Sequence, residues 1–282
     1  MFSQVVNINE CRFDFDYSVE GNLKSFKEEV LDELYTLYKE HGDMPLLLSG
    51  GMDSTFILRS LVELGIKPRT MTFSYSENAD DYECELVKKL HKKYGTYEPE
   101  FFKLDPLSFL NFCVNLVTKR KIAYPMIHGF VVHMFLENST PGVKYFTGMG
   151  SEFKLFDNLI RLMVGPQMVM QNNPGRLFDF ATSRTFFSYL NHEKFLNNYK
   201  KKVPADYQSP EPFYIRDQIY LDCYPDIELS PKVRNMEAHL PYNNLFNRNM
   251  INLMRNDVPT ALITKHYHFN VDKYFQEKGI TF

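Results

Sequence analysis

Residues 44–54 of the chain read MPLLLSGGMDS, and the fold prediction begins from this stretch. The apolar run over residues 44–48 is typical of a buried strand in a parallel sheet. It ends at Ser49-Gly50-Gly51, and residues 54–64 have the pattern of a helix that Gly65 terminates. A strand that passes through a glycine turn into a helix is the first unit expected of an α/β fold.

The same alternation continues on both sides of this stretch. Apolar spacing predicts helices over residues 22–41, 80–94, 107–118 and 128–137, and strands over residues 69–75, 100–104 and 143–146. This order predicts a parallel twisted sheet with flanking helices and right-handed crossovers. A further short strand is predicted within residues 1–17. After about residue 155 the strand signals fade, so we predict an α/β core over residues 1–155 and a mainly helical lobe over residues 156–282.

Composition limits the function classes. The 282 residues carry a net charge of -3, with 24% charged and 44% hydrophobic residues. This is ordinary globular usage without the basic excess of a general nucleic-acid binder. The four cysteines show no CxxC pair or zinc spacing, which favours reduced thiols. No signal-peptide pattern and no run of about 18 apolar residues is present. We therefore expect a cytoplasmic protein that has no membrane partner and is not a general nucleic-acid binder, although a local groove for RNA stays open.

The turn after the first strand has the chemistry of an anion site. Ligands of open α/β sheets bind outside the carboxyl ends of the strands, where a helix N-terminus offers N–H groups and a favourable dipole. Gly50 and Gly51 allow close backbone approach and positive φ, and Ser49 and Ser54 add hydroxyl groups. Asp53 fits an anion site only if it holds a metal ion bound to phosphates; otherwise it caps the helix.

The turn lacks both the Walker spacing and the dinucleotide GxGxxG pattern. It resembles the SGGxDS loop of the PP-loop ATP pyrophosphatases. The resemblance implies an adenine nucleotide α-hydrolase-like (HUP-type) fold with ATP and Mg²⁺ as cofactors. It also implies cleavage of ATP between its α- and β-phosphates, with adenylation of a substrate oxygen.

Three further segments resemble the synthetase domain of asparagine synthetase and β-lactam synthetase. They are residues 72–76 (TFSYS), 145–152 (YFTGMGSE) and 236–244 (MEAHLPYNN), in the order and spacing of that family. The resemblance implies a ligase that adenylates a carboxylate and then forms an amide with ammonia or an amine. The helical lobe would complete the active site, and a separate amidotransferase chain is a possible source of ammonia.

The resemblance implies a set of site residues. Those expected to be catalytic are Asp53, Glu152, Lys232 and Glu237, with Asp53 and Glu152 as metal ligands. Those expected to contact the nucleotide are Leu48, Ser49, Gly50, Gly51, Met52, Asp53, Ser54, Phe73, Ser74, Tyr75, Thr147 and Gly148.

The chain also departs from this pattern, chiefly in the half that binds the acceptor. We expect no glutaminase domain, because position 2 is Phe2 where that domain has its nucleophilic cysteine. Glu152 stands where the family has an aspartate, and His239 and Asn244 replace an arginine and an aspartate. Two other readings therefore stay open. One is a PP-loop enzyme that adenylates a carbonyl of a nucleobase or tRNA, and the other is a catalytically inactive nucleotide-binding relative.

Overall fold

The fold was analysed in a computed structural model of the chain. It describes residues 15–74, 82–120, 122–123, 127–140, 142–148, 154–156, 159–164, 177–178, 182–199, 215–228, 261–262 and 265–280. Within these ranges, no helix has the length and apolar character needed to cross a membrane.

Strands and helices alternate along the first half of the described chain. The strands of this half are β1 (Leu46–Leu47), β2 (Thr70–Ser74), β3 (Glu100–Lys103), β4 (Ile122–Ala123) and β5 (Tyr145–Thr147). All of them except β4 belong to the core sheet. The helices are α1 (Phe26–His41), α2 (Met52–Glu63), α3 (Tyr82–Tyr94), α4 (Pro106–Thr118) and α5 (Ile127–Asn138). Each helix and core strand predicted between residues 22 and 146 is present within a few residues of its expected bounds. The two-residue β4 was not predicted.

The core sheet is parallel throughout. Its order is β3-β2-β1-β5-β8, where β8 is Leu177–Phe178. Strand β1 pairs with β2 on one side and with β5 on the other, so that Leu47 is level with both Met71 and Thr147. The chain leaves β1 towards β2 and β3 and later returns to the opposite side of β1. The topological switch point of the sheet therefore lies between β1 and β5, which is where ligands of such sheets bind.

Apolar side chains of successive residues point to opposite faces of this sheet. Leu46 and Leu48 of the first strand region pack with Phe146 in a core that also contains side chains of α1, α2 and α3. Leu47 and Tyr145 belong to a second core, which includes side chains of α4 and α5. Helices thus cover both faces, as expected for a parallel sheet whose strands are buried on both sides. The α/β fold with a parallel sheet and flanking helices is confirmed.

The C-terminal half contains helices and additional strands. The helices are α6 (Ser183–Leu190), α7 (Glu193–Asn198), α8 (Ile215–Cys223) and α9 (Val271–Glu277). The strands beyond the core sheet are β6 (Lys154–Phe156), β7 (Leu159–Val164), β9 (Ala261–Leu262) and β10 (Lys265–Asn270). Strand β7 pairs antiparallel with β6 and β10, and β9 pairs with β4.

The expectation that strands fade after residue 155 was therefore wrong for these segments. Strands β6 and β9 escaped the sequence pattern because they contain only three and two residues, and β10 escaped it because KHYHFN at residues 265–270 mixes polar with apolar residues. The run LIRLMV of β7 at residues 159–164 is itself apolar and of strand length.

The C-terminal helices pack directly on the N-terminal core. One buried cluster joins side chains of α1 and α2 with Tyr189 of α6, Tyr220 of α8 and Phe275 of α9. The division at residue 155 stays a prediction. The strand predicted near the N-terminus falls largely outside the described residues; within them, residues Tyr17–Asn22 form a 3-10 helix.

Candidate functional site

Two chain segments meet at the switch point of the sheet. The turn of residues 48–51 leaves the carboxyl end of β1, and Gly148 follows the carboxyl end of β5. A Cβ atom added to Gly148 would lie 3.0 Å from the Asp53 Cβ and 3.0 Å from the Ser54 backbone nitrogen. Gly148 therefore lets the segment after β5 approach the first turn of α2 more closely than any other residue would.

Gly50 adopts a conformation that favours glycine. Its φ is +68°, in the left-handed region. A Cβ atom at Gly50 would also lie 2.6 Å from Cδ2 and 2.8 Å from Cγ of Leu86, a half-buried residue of α3. Both the backbone angle and the space beside α3 thus require glycine at this position.

Weak hydrogen bonds hold the turn together. The Ser49 backbone N–H donates to Ser54 Oγ, the Gly51 N–H donates to Ser49 Oγ, and the two hydroxyl oxygens lie within hydrogen-bond range, each at 3.3 Å. These distances exceed the usual range for strong bonds. The Ser54 hydroxyl also donates to the Gly51 carbonyl at 3.1 Å. A phosphate oxygen is a stronger acceptor than a hydroxyl, so it can replace the Ser49 hydroxyl as partner of the Gly51 N–H.

The turn leads into the N-terminus of a three-turn helix. Gly51 is the N-cap of α2 and supplies no side-chain cap, and the first intrahelical bond runs from Thr55 N–H to the Gly51 carbonyl at 3.0 Å. Asp53 lies inside the first turn and does not cap the helix, so that alternative interpretation of its role was wrong. The uncapped helix end presents the positive end of its dipole to the switch point.

Asp53 is held by two side chains of α8. Arg216 Nη1 donates to Asp53 Oδ2 at 3.2 Å, and the Tyr220 hydroxyl donates to Oδ1 at 3.3 Å. The Asp53 side chain is 20% exposed, whereas Arg216 is 6% exposed as a residue. The Nε and Nη2 atoms of Arg216 both donate to Asp217 Oδ1, at 2.9 and 2.7 Å. The guanidinium therefore lies between two carboxylates at the start of α2.

The surroundings fix the charge states of these groups. Burial by itself lowers the pKa of Arg216, but the carboxylates of Asp53 and Asp217 outweigh it and leave that pKa raised. Burial, and next the Asp53 charge, raise the pKa of Tyr220 well above its usual value. Arg216 is thus a permanent cation, and Tyr220 is a neutral donor at physiological pH.

Arg216, Asp217 and Tyr220 were missed at the sequence level. Arg216 is 163 residues away from Asp53 along the chain, so no local motif joins them. The only available signal was the i, i+4 placement of Arg216 and Tyr220 on a helix whose buried side also contains Ile219. Buried arginines are rare and need partners, but burial could not be read from this pattern.

The remaining predicted nucleotide contacts frame the site mainly through backbone. Leu48 is buried in the core, with its N–H bonded to the Met71 carbonyl at 2.8 Å and its carbonyl accepting from Thr72 Oγ1 at 2.7 Å. The Phe73 ring packs against Phe135 with ring centroids 5.4 Å apart, in the core on the α5 side.

The rest of this set has varied surroundings. Met52 is partly buried and packs on the first core cluster, whereas Ser74 and Thr147 are buried at the carboxyl ends of β2 and β5. The predicted residues Tyr75, Glu152, Lys232 and Glu237 lie outside the described residues.

The donor set fits a magnesium ion that arrives with phosphates. Within the described ranges, no group of three or more His, Cys, Asp or Glu side chains could hold a metal ion. Magnesium, however, is usually held by one or two carboxylates together with substrate phosphates and water. The partly exposed carboxylate of Asp53, in the first turn of α2, suits that arrangement.

The comparison with protein families identifies one segment. Residues 44–128 match the model of the queuosine biosynthesis protein QueC. This segment is just under a third of the chain, and it starts immediately before β1 and includes the glycine turn. The match supports a PP-loop ATP-using domain. It does not support the predicted closeness to asparagine synthetase.

The other comparisons are less informative. No curated protein matches the chain. Among solved structures, one match is described as a predicted subunit of a tRNA methyltransferase from Methanocaldococcus jannaschii. It is 19% identical, covers 52% of this chain and 74% of that protein, and has a TM-score of 0.33. A similarity at this level carries no information about what the chain does.

Proposed function

We propose that this chain is an ATP-dependent enzyme that adenylates an oxygen of a nucleobase or nucleotide and so activates it for attack by a nitrogen nucleophile. The observation that carries the proposal is the glycine turn of residues 48–51 at the switch point, inside the segment that is similar to the queuosine biosynthesis protein QueC. Queuosine is a modified nucleoside, which favours a nucleobase as acceptor over the free carboxylic acid expected from the sequence motifs.

The net charge of the chain favours a small acceptor over an RNA. The chain carries a net charge of -3, and a protein that grips an RNA backbone needs a concentration of Lys and Arg. A free base or nucleotide needs no such surface. We therefore propose a small nucleobase-containing substrate in preference to tRNA.

The residues of the site have separable tasks in this reaction. The backbone at Gly50 and Gly51 and the N-terminus of α2 hold the β- and γ-phosphates. The substrate oxygen attacks the α-phosphorus, the bond from that phosphorus to the bridging oxygen breaks, and pyrophosphate leaves with the electron pair. Asp53 would hold Mg²⁺, which neutralises phosphate charge when bound. An amine or ammonia then adds to the activated carbon, and AMP departs with the substrate oxygen. A separate amidotransferase chain as source of ammonia belongs to the same proposal.

The reaction is tested with ATP labelled at the α-phosphorus and Mg²⁺. Nucleobases and nucleosides, amino acids, dicarboxylates and tRNA are supplied separately, each with ammonium. The proposal expects labelled AMP and an equal amount of pyrophosphate with a nucleobase or nucleoside. AMP formed only with amino acids or dicarboxylates would favour the asparagine synthetase-like ligase, and AMP formed only with tRNA would contradict the small substrate. Labelled ADP, or bound ATP without turnover under every mixture, would contradict an adenylating enzyme.

A matched pair of variants links the activity to the site. Asp53→Asn should lower kcat/KM by roughly 10²-fold or more, because it removes a charge from the phosphate and metal site. Asp43→Asn makes the same chemical change at an exposed residue before β1, where Asp43 pairs with Arg69 at 3.4 Å. The activity of this control variant should stay at the wild-type level. Equal activities of the two variants would remove Asp53 from the mechanism.

A further inference from the structure

Arg216 occupies an unusual position for a structural residue. It is 6% exposed, yet it lies against Asp53 in the first turn of α2, where the proposed phosphate site begins. Burying a guanidinium is costly unless it is paired, and here two carboxylates surround it. The position calls for a reason beyond helix packing, because an apolar residue would fill the same space without that cost.

Aromatic packing holds α8 in this orientation. The Tyr220 ring stacks on Phe56 of α2 with centroids 4.0 Å apart and an interplanar angle of 9°. Phe26 of α1 continues the stack, 6.2 Å from Tyr220. Because Arg216 is one helical turn before Tyr220, this stack fixes the guanidinium at the start of α2. The C-terminal half thereby contributes a cation to a site built by the N-terminal half.

The two carboxylates bind Arg216 unequally. Asp217 accepts from Nε and Nη2 at 2.9 and 2.7 Å, whereas Asp53 accepts from Nη1 at 3.2 Å. Asp217 alone balances the charge of Arg216, so this group of three side chains carries one excess negative charge. That excess attracts a metal ion, and the longer bond to Asp53 is the one that such an ion would compete for.

We propose that Arg216 is a phosphate-binding residue of this site and that its bond to Asp53 is the nucleotide-free arrangement. When Mg²⁺-bound ATP or pyrophosphate enters, the Asp53 carboxylate turns from Arg216 to the ion, and Nη1 donates to a phosphate oxygen instead. Asp217 keeps the guanidinium in place during this exchange. The inference rests on the proposed function for the identity of the ligand.

The proposed exchange of partners at Arg216 predicts a different result from a purely structural role of this residue. Removing the cation at position 216 weakens phosphate binding, but it also removes the donor that competes with a metal ion for Asp53 Oδ2. Phosphate affinity and metal affinity should therefore change in opposite directions. A residue needed only for the shape of the site would weaken both when replaced.

The test uses Arg216→Gln and the matched control Arg59→Gln. Arg59 of α2 pairs with Asp226, which follows the end of α8, at 3.2 Å. The control therefore removes an arginine that joins the same two parts of the chain outside the phosphate site. Binding of Mn²⁺ alone is measured by electron paramagnetic resonance, and binding of Mg²⁺-pyrophosphate and Mg²⁺-ATP by calorimetry. Circular dichroism establishes that each variant is folded.

Arg216→Gln should bind Mg²⁺-pyrophosphate roughly tenfold to a hundredfold more weakly, the effect of one lost charge-assisted hydrogen bond, and bind Mn²⁺ more tightly. Arg59→Gln should match the wild type in both. Arg216→Lys keeps the charge but cannot bridge both carboxylates, so it should show smaller changes of the same signs, and it decides the matter if Arg216→Gln does not fold.

Weakening of both affinities together, or no change in either, would overturn the role of Arg216. Pyrophosphate binding that depends on Arg216, without any binding of ATP, would keep this inference and overturn the proposed function. Binding of ATP with the same affinity in the wild type and in Arg216→Gln would overturn this inference and keep the proposed function.

Discussion

Replacing Gly50 with alanine tests whether the turn after β1 depends on glycine for the two reasons the structure gives. The left-handed φ of +68° costs an alanine about 1–2 kcal/mol. The added methyl group would lie 2.6 Å from Leu86 Cδ2, and forcing extra volume into such a contact costs about 1–3 kcal/mol. Gly50→Ala should therefore lower the free energy of unfolding by roughly 2–5 kcal/mol. It should also weaken ATP binding, because the phosphate-binding turn moves.

Gly65→Ala is the matched control for the backbone part of this cost. Gly65 ends α2 with a φ of +73°, and a Cβ there would meet no atom within 4 Å. This variant should lose only about 1–2 kcal/mol and should bind ATP as the wild type does. The difference between the two variants isolates the contact with Leu86.

Urea unfolding of a double-mutant cycle measures that contact directly. In a Leu86→Ala background the methyl group has room, so Gly50→Ala should cost no more than Gly65→Ala. An equal cost of Gly50→Ala in both backgrounds would refute the steric argument. A Gly50→Ala protein as stable as the wild type would refute the backbone argument as well.

Three further predictions concern the packing that supports the site. Arg184 donates from Nε and Nη2 to Glu29, which is 2% exposed, at 2.7 Å each. Burial raises the pKa of Glu29, but the hydrogen bonds from Arg184 and Lys24 outweigh burial and leave the pKa lowered. The pair of Arg184 and Glu29 therefore stabilises the fold at pH values above the usual carboxyl range, and this stabilisation is lost as pH falls through the lowered pKa. Arg184→Gln should cost about 3 kcal/mol at pH 7 and clearly less at a pH below the lowered pKa, where Glu29 is protonated in the wild type as well; urea unfolding at pH 7 and well below the usual carboxyl range checks this, and an equal cost at both would contradict it. Phe56→Ala removes the ring that stacks on Tyr220 with centroids 4.0 Å apart and should cost about 3–5 kcal/mol in urea unfolding, whereas a loss below about 1 kcal/mol would show that the stack does not hold α8. Burial raises the pKa of Cys113 and of the half-buried Cys223 to about 12, so iodoacetamide at pH 8 should leave both thiols unmodified in the folded protein and alkylate them in urea. Mass spectrometry that finds either thiol alkylated rapidly without urea would contradict these raised pKa values.

The first half of the fold could be predicted because its signals are local. The apolar run before Ser49, the glycines and the helical periodicity that follows all lie within about twenty residues. They specified the strand, the turn and α2 together. The carboxyl-edge placement of Ser74, Thr147 and Gly148 followed from the parallel alternation, since all strand ends then meet at one edge.

The parts that escaped prediction depend on distant contacts. Asp53 was expected to face a metal ion or cap a helix, but its partners Arg216 and Tyr220 come from a helix more than 160 residues later. The antiparallel pairing of β7 with β10 likewise joins segments that are about 100 residues apart along the chain. The motifs beyond β1 favoured asparagine synthetase although each is short and departs from that family at several positions, such as Glu152, His239 and Asn244. The family match over residues 44–128 supports a PP-loop domain but not closeness to asparagine synthetase.

The central claim is that the glycine turn after β1 holds the pyrophosphate part of ATP. A crystal structure with Mg²⁺ and α,β-methylene-ATP, which cannot be cleaved at that bond, tests it most directly. The account predicts the β- and γ-phosphates against the backbone N–H groups of Gly50 and Gly51 at the start of α2. A nucleotide bound elsewhere on the protein, with this turn unchanged and its serine hydrogen bonds intact, would contradict the account.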